Sequence, residues 1–117
     1  MIYDLGLSYS APWHRKIPVH IGKRMTVALI QQTVASFYEI SEAEMRSARR
    51  SRRVARPRQI AMYLARELTS QSLPDIGRRF NRDHTTVIHA LKTIDRLCHF
   101  NGDMAEEIDH LRLRLSA

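Results

Sequence analysis

Residues 72–99, SLPDIGRRFNRDHTTVIHALKTIDRLCH, decide the fold. Ser72, followed three residues on by Asp75, has the spacing of a capping box, and Pro74 fits a first helical turn, where a missing N–H costs nothing. The short helix so begun ends near Phe80. Asn81-Arg82 reads as a turn, and Asp83 suits the N-cap of a longer helix over 84–99. A short helix, a tight turn and a longer helix together describe a helix-turn-helix. At about 100° per residue, Val87, Ala90, Leu91, Ile94 and Cys98 fall on one side of the longer helix, and Thr85, Ile88, His89 and Lys92 on the other. Its exposed N-terminal face is therefore Asp83, His84, Thr85, Ile88 and His89. Asp can accept from a cytosine amino group, Thr can bond a base or a phosphate, and Ile can meet a thymine methyl. Thr86, at the edge of the buried stripe, suits a hydroxyl reaching a phosphate beside the helix N-terminus. The bland account of Ile88 is that it packs on the N-terminal arm.

Working outward, the flanks are helical too. Val27, Ile30, Val34 and Phe37 make one stripe, with Thr26 as N-cap. Ser41 and Glu44 form a Ser-x-x-Glu box that opens a short helix to about Ser47. Arg49-Arg50-Ser51-Arg52-Arg53-Val54 shows no apolar period and reads as a solvated loop. Pro57 then opens the next helix, which buries Ile60, Ala61, Leu64 and Leu68 and ends near Ser70. Asn101-Gly102 breaks the chain, and Asp103 with Glu106 opens a last helix, 103–116, with Met104, Ile108, Leu111 and Leu115 on one face. Residues 1–25 read as an irregular arm, in which Tyr3 and Trp13 either fold back on the domain or dock another protein. The expectation is an all-α bundle of about six helices over 26–117.

Charge and length narrow the function. The 117 residues hold 19 Lys+Arg against 12 Asp+Glu, a net charge of +7. Residues 46–96 alone hold 13 of the basic residues and four acidic ones, a net +9, which leaves −2 elsewhere. Sixteen of the basic residues are Arg, whose planar fork suits phosphates and base edges. An anionic partner follows, nucleic acid before an acidic membrane surface. One cysteine, Cys98, excludes an intramolecular disulfide and a Cys-based zinc site, and a reducing, cytoplasmic setting is expected. No leader peptide and no membrane-spanning run are expected. His84 and His89 lie on poorly aligned faces, without a partner at ligand spacing, so no metal or other cofactor is expected. No hydrolase signature exists, and enzyme activity is not expected. An RNA module lacks aromatic stacking platforms in the basic half, where Tyr63 and Phe80 look like core.

The runs RRVARPRQIAMYLARELT (52–69), SLPDIG (72–77) and RDHTTVIHA (82–90) closely resemble the C-terminal DNA-binding domain, domain IV, of the bacterial replication initiator DnaA. IQQTVASFY (30–38) looks like that domain's first helix, so the resemblance covers roughly residues 26–117. It implies a Trp-repressor-like helix-turn-helix that binds an asymmetric DnaA box as a monomer, with the recognition helix in the major groove. Asp83, His84 and Thr85 would then face bases, with Ile88 near a thymine methyl. Thr86 and Arg82 would hold the DNA backbone, and so would Arg58, Gln59 and Arg66 of the preceding helix. Arg50 matches the arginine that the family inserts into the minor groove, where narrow A·T-rich DNA has strong negative potential. Two departures stand out. Asn81 alone separates Phe80 from Arg82, where the family has two residues, typically glycines. No Gly-x-x-x-x-Gly-Lys-Ser/Thr occurs, since Gly22-Lys23 lacks the upstream Gly and the hydroxyl residue. A domain IV standing alone behind an arm is thus expected, modulating replication initiation or transcription in the nucleoid without ATP hydrolysis. The alternative is an adaptor that keeps the fold and binds a replication-control protein, DnaA or a DnaA-regulating ATPase.

Overall fold

The computed structural model describes residues 25–48 and 51–116. Among them are six helices and no strand: α1 Val27–Phe37, α2 Glu42–Met45, α3 Arg52–Leu68, α4 Leu73–Arg79, α5 His84–Phe100 and α6 Gly102–Ser116. The expected arm, with Tyr3 and Trp13, lies outside the described residues, as does Arg50.

Local signals account for most helix starts. Thr26 Oγ1 accepts from Leu29 N at 3.1 Å. Ser41 and Glu44 exchange both bonds of a capping box, each at 3.0 Å. Ser72 Oγ accepts from Asp75 N at 3.2 Å. Such caps satisfy N–H groups that a helix start leaves open, and each stabilises by about 1 kcal/mol. α1 ends in a Schellman motif. Ile40 N bonds to Ala35 O at 2.9 Å, Glu39 N bonds to Ser36 O, and Glu39 takes φ 56°. Asn101 closes one helix and opens the next. Its N–H bonds to Leu97 O at 2.8 Å, and its Oδ1 accepts from Asp103 N at 2.9 Å. Gly102, expected to lie in the break, is thus the first residue of α6, and the cap is Asn101 rather than Asp103.

α3 departs from expectation at its start. It begins at Arg52, with Ser51 as N-cap, so Pro57 lies inside the helix and not in its first turn. The physical reason is Val54, which is fully buried and anchors that first turn in the interior. Val54, Pro57, Ala61, Leu64 and Leu68 form one continuous helical stripe, all buried except the half-buried Leu68. Pro57 removes the single backbone bond that would have reached the Arg53 carbonyl, near a helix end where exposure to water limits the cost.

α3 is the central helix and packs against α1, α2, α4 and α5. Ile60, Met62, Tyr63 and Leu64 of α3 meet Ile30 and Val34 of α1, Leu91 and Ile94 of α5, and Ile108 and Leu111 of α6 in one core. Burying each large aliphatic side chain there stabilises by roughly 1.5–3 kcal/mol. α6 returns along α5 and reaches α1, where Tyr38 Oη donates to Glu107 Oε1 at 2.6 Å. Burial and then that carboxylate push the Tyr38 hydroxyl far above its ordinary pKa, so it remains a donor. No described helix is long and apolar enough to cross a membrane.

Candidate nucleic-acid interface

The α4–α5 turn is shaped by three backbone features. Arg82 N bonds to Gly77 O at 2.8 Å and Asn81 N bonds to Arg78 O at 3.2 Å, a second Schellman motif. Asn81 takes the left-handed φ of 59° that the motif requires, a conformation that Asn tolerates better than most residues. Gly77 makes the turn close: a Cβ placed there would stand 2.5 Å from Arg82 O and 3.3 Å from the Asp83 carbonyl carbon. The backbone of α4 therefore touches the segment that launches α5. One residue between Phe80 and Arg82 is enough to complete this turn.

α1 supports the turn from the other side. Gln31 is 4% exposed, and its Nε2 donates to Arg79 O at 2.9 Å, one of the carbonyls that the end of α4 leaves open. Phe80, with Ile76, is buried beneath the helix pair.

On α5, Val87, Ala90, Leu91 and Ile94 are buried, while Asp83, His84, Thr85, Thr86 and His89 are exposed. Ile88 is half-buried. Asp83 occupies the N-cap position, but its carboxylate turns to side chains instead of capping: Oδ2 accepts from Thr85 Oγ1 at 2.6 Å and Oδ1 lies 3.5 Å from His84 Nδ1. The Thr85 hydroxyl holds the Asp83 carboxyl below its ordinary pKa, with His84 adding to the effect. Three adjacent polar side chains thus stand together at the start of α5, with Thr85 bonded to Asp83, on a backbone that passes close against Gly77.

The basic residues are not all presented alike. Gln59 is half-buried, and its Oε1 accepts from Arg56 Nη1 at 3.0 Å. Arg66 is half-buried and donates from Nη1 to Gln71 O at 3.2 Å, tying α3 to the loop before α4. Arg58 is not presented as an open phosphate donor. It is 5% exposed, and its guanidinium donates to Met45 O (3.0 Å), Ser47 O (3.1 Å) and Glu44 O (3.3 Å). Burial and then the neighbouring Arg82 charge push its pKa down. Arg82 is half-buried and donates from Nη2 to Ser47 O at 2.8 Å. Arg52 and Arg56, one turn apart on α3, are exposed instead. The sequence pattern alone assigns Arg52 to a loop and leaves Arg56 just ahead of the expected helix start at Pro57; the buried Val54 between them was the signal available. The described surface therefore combines a nearly neutral reading face on α5 with exposed cations at the start of α3 and at the end of α4, where Arg78 and Arg79 lie. Among the described residues no cluster of three or more His, Cys, Asp or Glu could hold a metal ion.

Comparison with known proteins agrees with this geometry. Residues 27–94 match the family model described as the bacterial dnaA protein helix-turn-helix. The chromosomal replication initiator protein DnaA of Gluconobacter oxydans is 51% identical over 94 residues, 80% of this chain and 20% of that protein. DnaA of Xanthobacter autotrophicus is 54% identical over 97 residues, 81% of this chain and 19% of that protein. The corresponding figures for DnaA of Ruegeria sp. are 47% over 96 residues, 81% and 20%. The chain thus spans about a fifth of the length of these relatives.

Proposed function

Because the chain belongs to the family of the bacterial DnaA helix-turn-helix domain, we propose that it binds double-stranded DNA at DnaA-box-like sites through the first two turns of α5. The observation that carries this reading is the exposed Asp83–His84–Thr85 group, in which Thr85 bonds to Asp83, set on a turn with no room for a Cβ at Gly77. Such a face meets base edges in a major groove, which is wide enough to admit an α-helix. Ile88 lies on the same face and offers an apolar surface to a thymine methyl. Thr86 offers a hydroxyl to a phosphate at the start of α5, where the helix dipole favours an anion. Gln59 and Arg66 from α3, with the exposed Arg52 and Arg56, supply donors for the DNA backbone. Arg50, in the connection between α2 and α3, enters the adjacent minor groove.

Binding by a single copy is what the resemblance to the DnaA domain implies, since that family's boxes are asymmetric. The biological outcome is occupation of, or competition for, such boxes, which modulates replication initiation or transcription. Electrophoretic shift of a DnaA-box duplex against a scrambled duplex tests the proposal. A preference for the box is expected, with an affinity for either duplex that weakens steeply with salt. Equal binding to both duplexes, together with capture of purified DnaA, would replace it with the adaptor reading.

A further inference from the structure

The Ser47 carbonyl is a point of convergence. It accepts from Arg82 Nη2 at 2.8 Å, across 35 residues of sequence, and from Arg58 Nη2 at 3.1 Å. We infer that Arg82 is a positioning residue: it holds the end of α2 against the helix-turn-helix turn, and so sets where the basic start of α3 stands relative to α5, instead of neutralising a DNA phosphate. The inference rests on the DNA-binding reading for its consequence, but not for the contact itself.

Two guanidinium groups on one carbonyl repel each other, and the Arg82 charge adds to burial, the larger cause, in pushing the Arg58 pKa down. What offsets the repulsion is the group of carbonyl oxygens at and just beyond the end of α2, those of Glu44, Met45 and Ser47, on which the two guanidinium groups converge. At four residues α2 is too short to persist unaided. It is held from outside by Arg53 on the Glu44 carboxylate (3.0 Å), by Arg58 on three carbonyls and by Arg82. Arg82 suits the task because its own backbone is held on both sides: its N–H is bonded to Gly77 O, and its carbonyl fills the space that a Cβ at Gly77 would take. The next residue, Asp83, is the N-cap of α5. One side chain therefore spans from the first atoms of the reading helix to the segment that leads into α3. The Ser47 bond engages one of the five guanidinium donors and fixes the direction in which the side chain runs.

Arg82→Ala in the full chain, compared with the unaltered protein, separates the two roles. In the free protein, amide hydrogen exchange at Arg46 and Ser47, whose N–H groups close the last turn of α2, should become about tenfold faster. On a DnaA-box duplex, affinity should fall several-fold while the log–log salt slope stays unchanged. A residue that neutralises a phosphate would instead leave the exchange of the free protein unaltered and lower the slope by about 0.9. Unaltered exchange, or that loss of slope, overturns the inference. A protein that shows no box preference in its unaltered form would refute the proposed function, and the exchange measurement would still decide the role of Arg82. Should the alanine variant prove too unstable, Arg82→Gln, which removes the charge and the fork but keeps a polar stem, gives the same two readings.

Discussion

Gly77→Ala sets two physical effects against each other with opposite signs. Helix propensity favours alanine over glycine in a helix interior by roughly 0.5–1 kcal/mol. The new methyl, however, would stand 2.5 Å from Arg82 O, 3.3 Å from the Asp83 carbonyl carbon and 3.4 Å from His84 N. All three are backbone atoms of the turn, so no rotamer change relieves the contact. Restoring ordinary separation means moving residues 82–84 away from α4 by about 1 Å, and overpacking of this kind costs roughly 1–3 kcal/mol. The net expectation is a loss of about 1–2 kcal/mol, read as a fall in Tm of roughly 5–15 °C for a domain of this size. Displacing the start of α5 also misplaces Asp83, His84 and Thr85. At ~1–3 kcal/mol per base contact, box affinity should drop by about tenfold or more, beyond what the unfolded fraction explains. Thermal melting by circular dichroism and fluorescence anisotropy on a labelled duplex give the two numbers. Gly102→Ala is the matched control, because nothing lies within 4 Å of a Cβ there, and it should stabilise by about 0.5–1 kcal/mol. A Gly77→Ala protein that melts higher, as propensity alone demands, with unaltered box affinity would refute the close-approach argument.

Further outcomes follow from the same geometry. Glu39→Gly should raise Tm, since it relieves a non-glycine residue at φ 56° worth about 1 kcal/mol; a fall in Tm would show that the Glu39 side chain contributes more than the backbone costs. The Asp83 carboxyl is depressed below its usual 3.8, so its stabilising effect is complete above that value and is lost as the pH falls through the lower, folded value. An acid titration of Tm should accordingly be shallower below about pH 4 in Asp83→Asn than in the unaltered protein, and identical limbs would count against the Thr85 contact. Substituting His84 or Thr85 by Ala should relax preference at one or two base pairs of a box, at ~1–3 kcal/mol each, as read by a panel of single-base duplex variants. A uniform loss across the panel would place those residues on the DNA backbone.

What was legible in the sequence divides along a physical line. Caps act over three residues, so Thr26, Ser41 with Glu44, and Ser72 announced their helices directly. The helix-turn-helix was legible because Phe80 and Asn81 end one apolar period and Val87 begins another. The start of α3 was not, because five arginines within residues 49–56 obscure the one apolar residue, Val54, that extends the buried stripe backwards. The fate of Arg58 was hidden for a different reason. Arginine is rarely buried, and only the three-dimensional meeting of α2 and α3 supplies the carbonyls that make burial tolerable. Gln31 illustrates the same limit, since its acceptor, Arg79 O, lies 48 residues away. Asp83 was placed correctly as the N-cap residue, yet its side chain bonds Thr85, a choice that local spacing leaves open.

Asn101, which ends α5 and opens α6 in a single residue, bears on how the domain assembles. A connection with no slack makes the α5–α6 hairpin the cheapest helix pair to close, because loop-closure entropy grows with the length of chain enclosed. The contact between Tyr38 and Glu107, by contrast, must enclose 69 residues. Closure entropy alone therefore favours pairing of α5 with α6 ahead of the contact that joins α1 to α6.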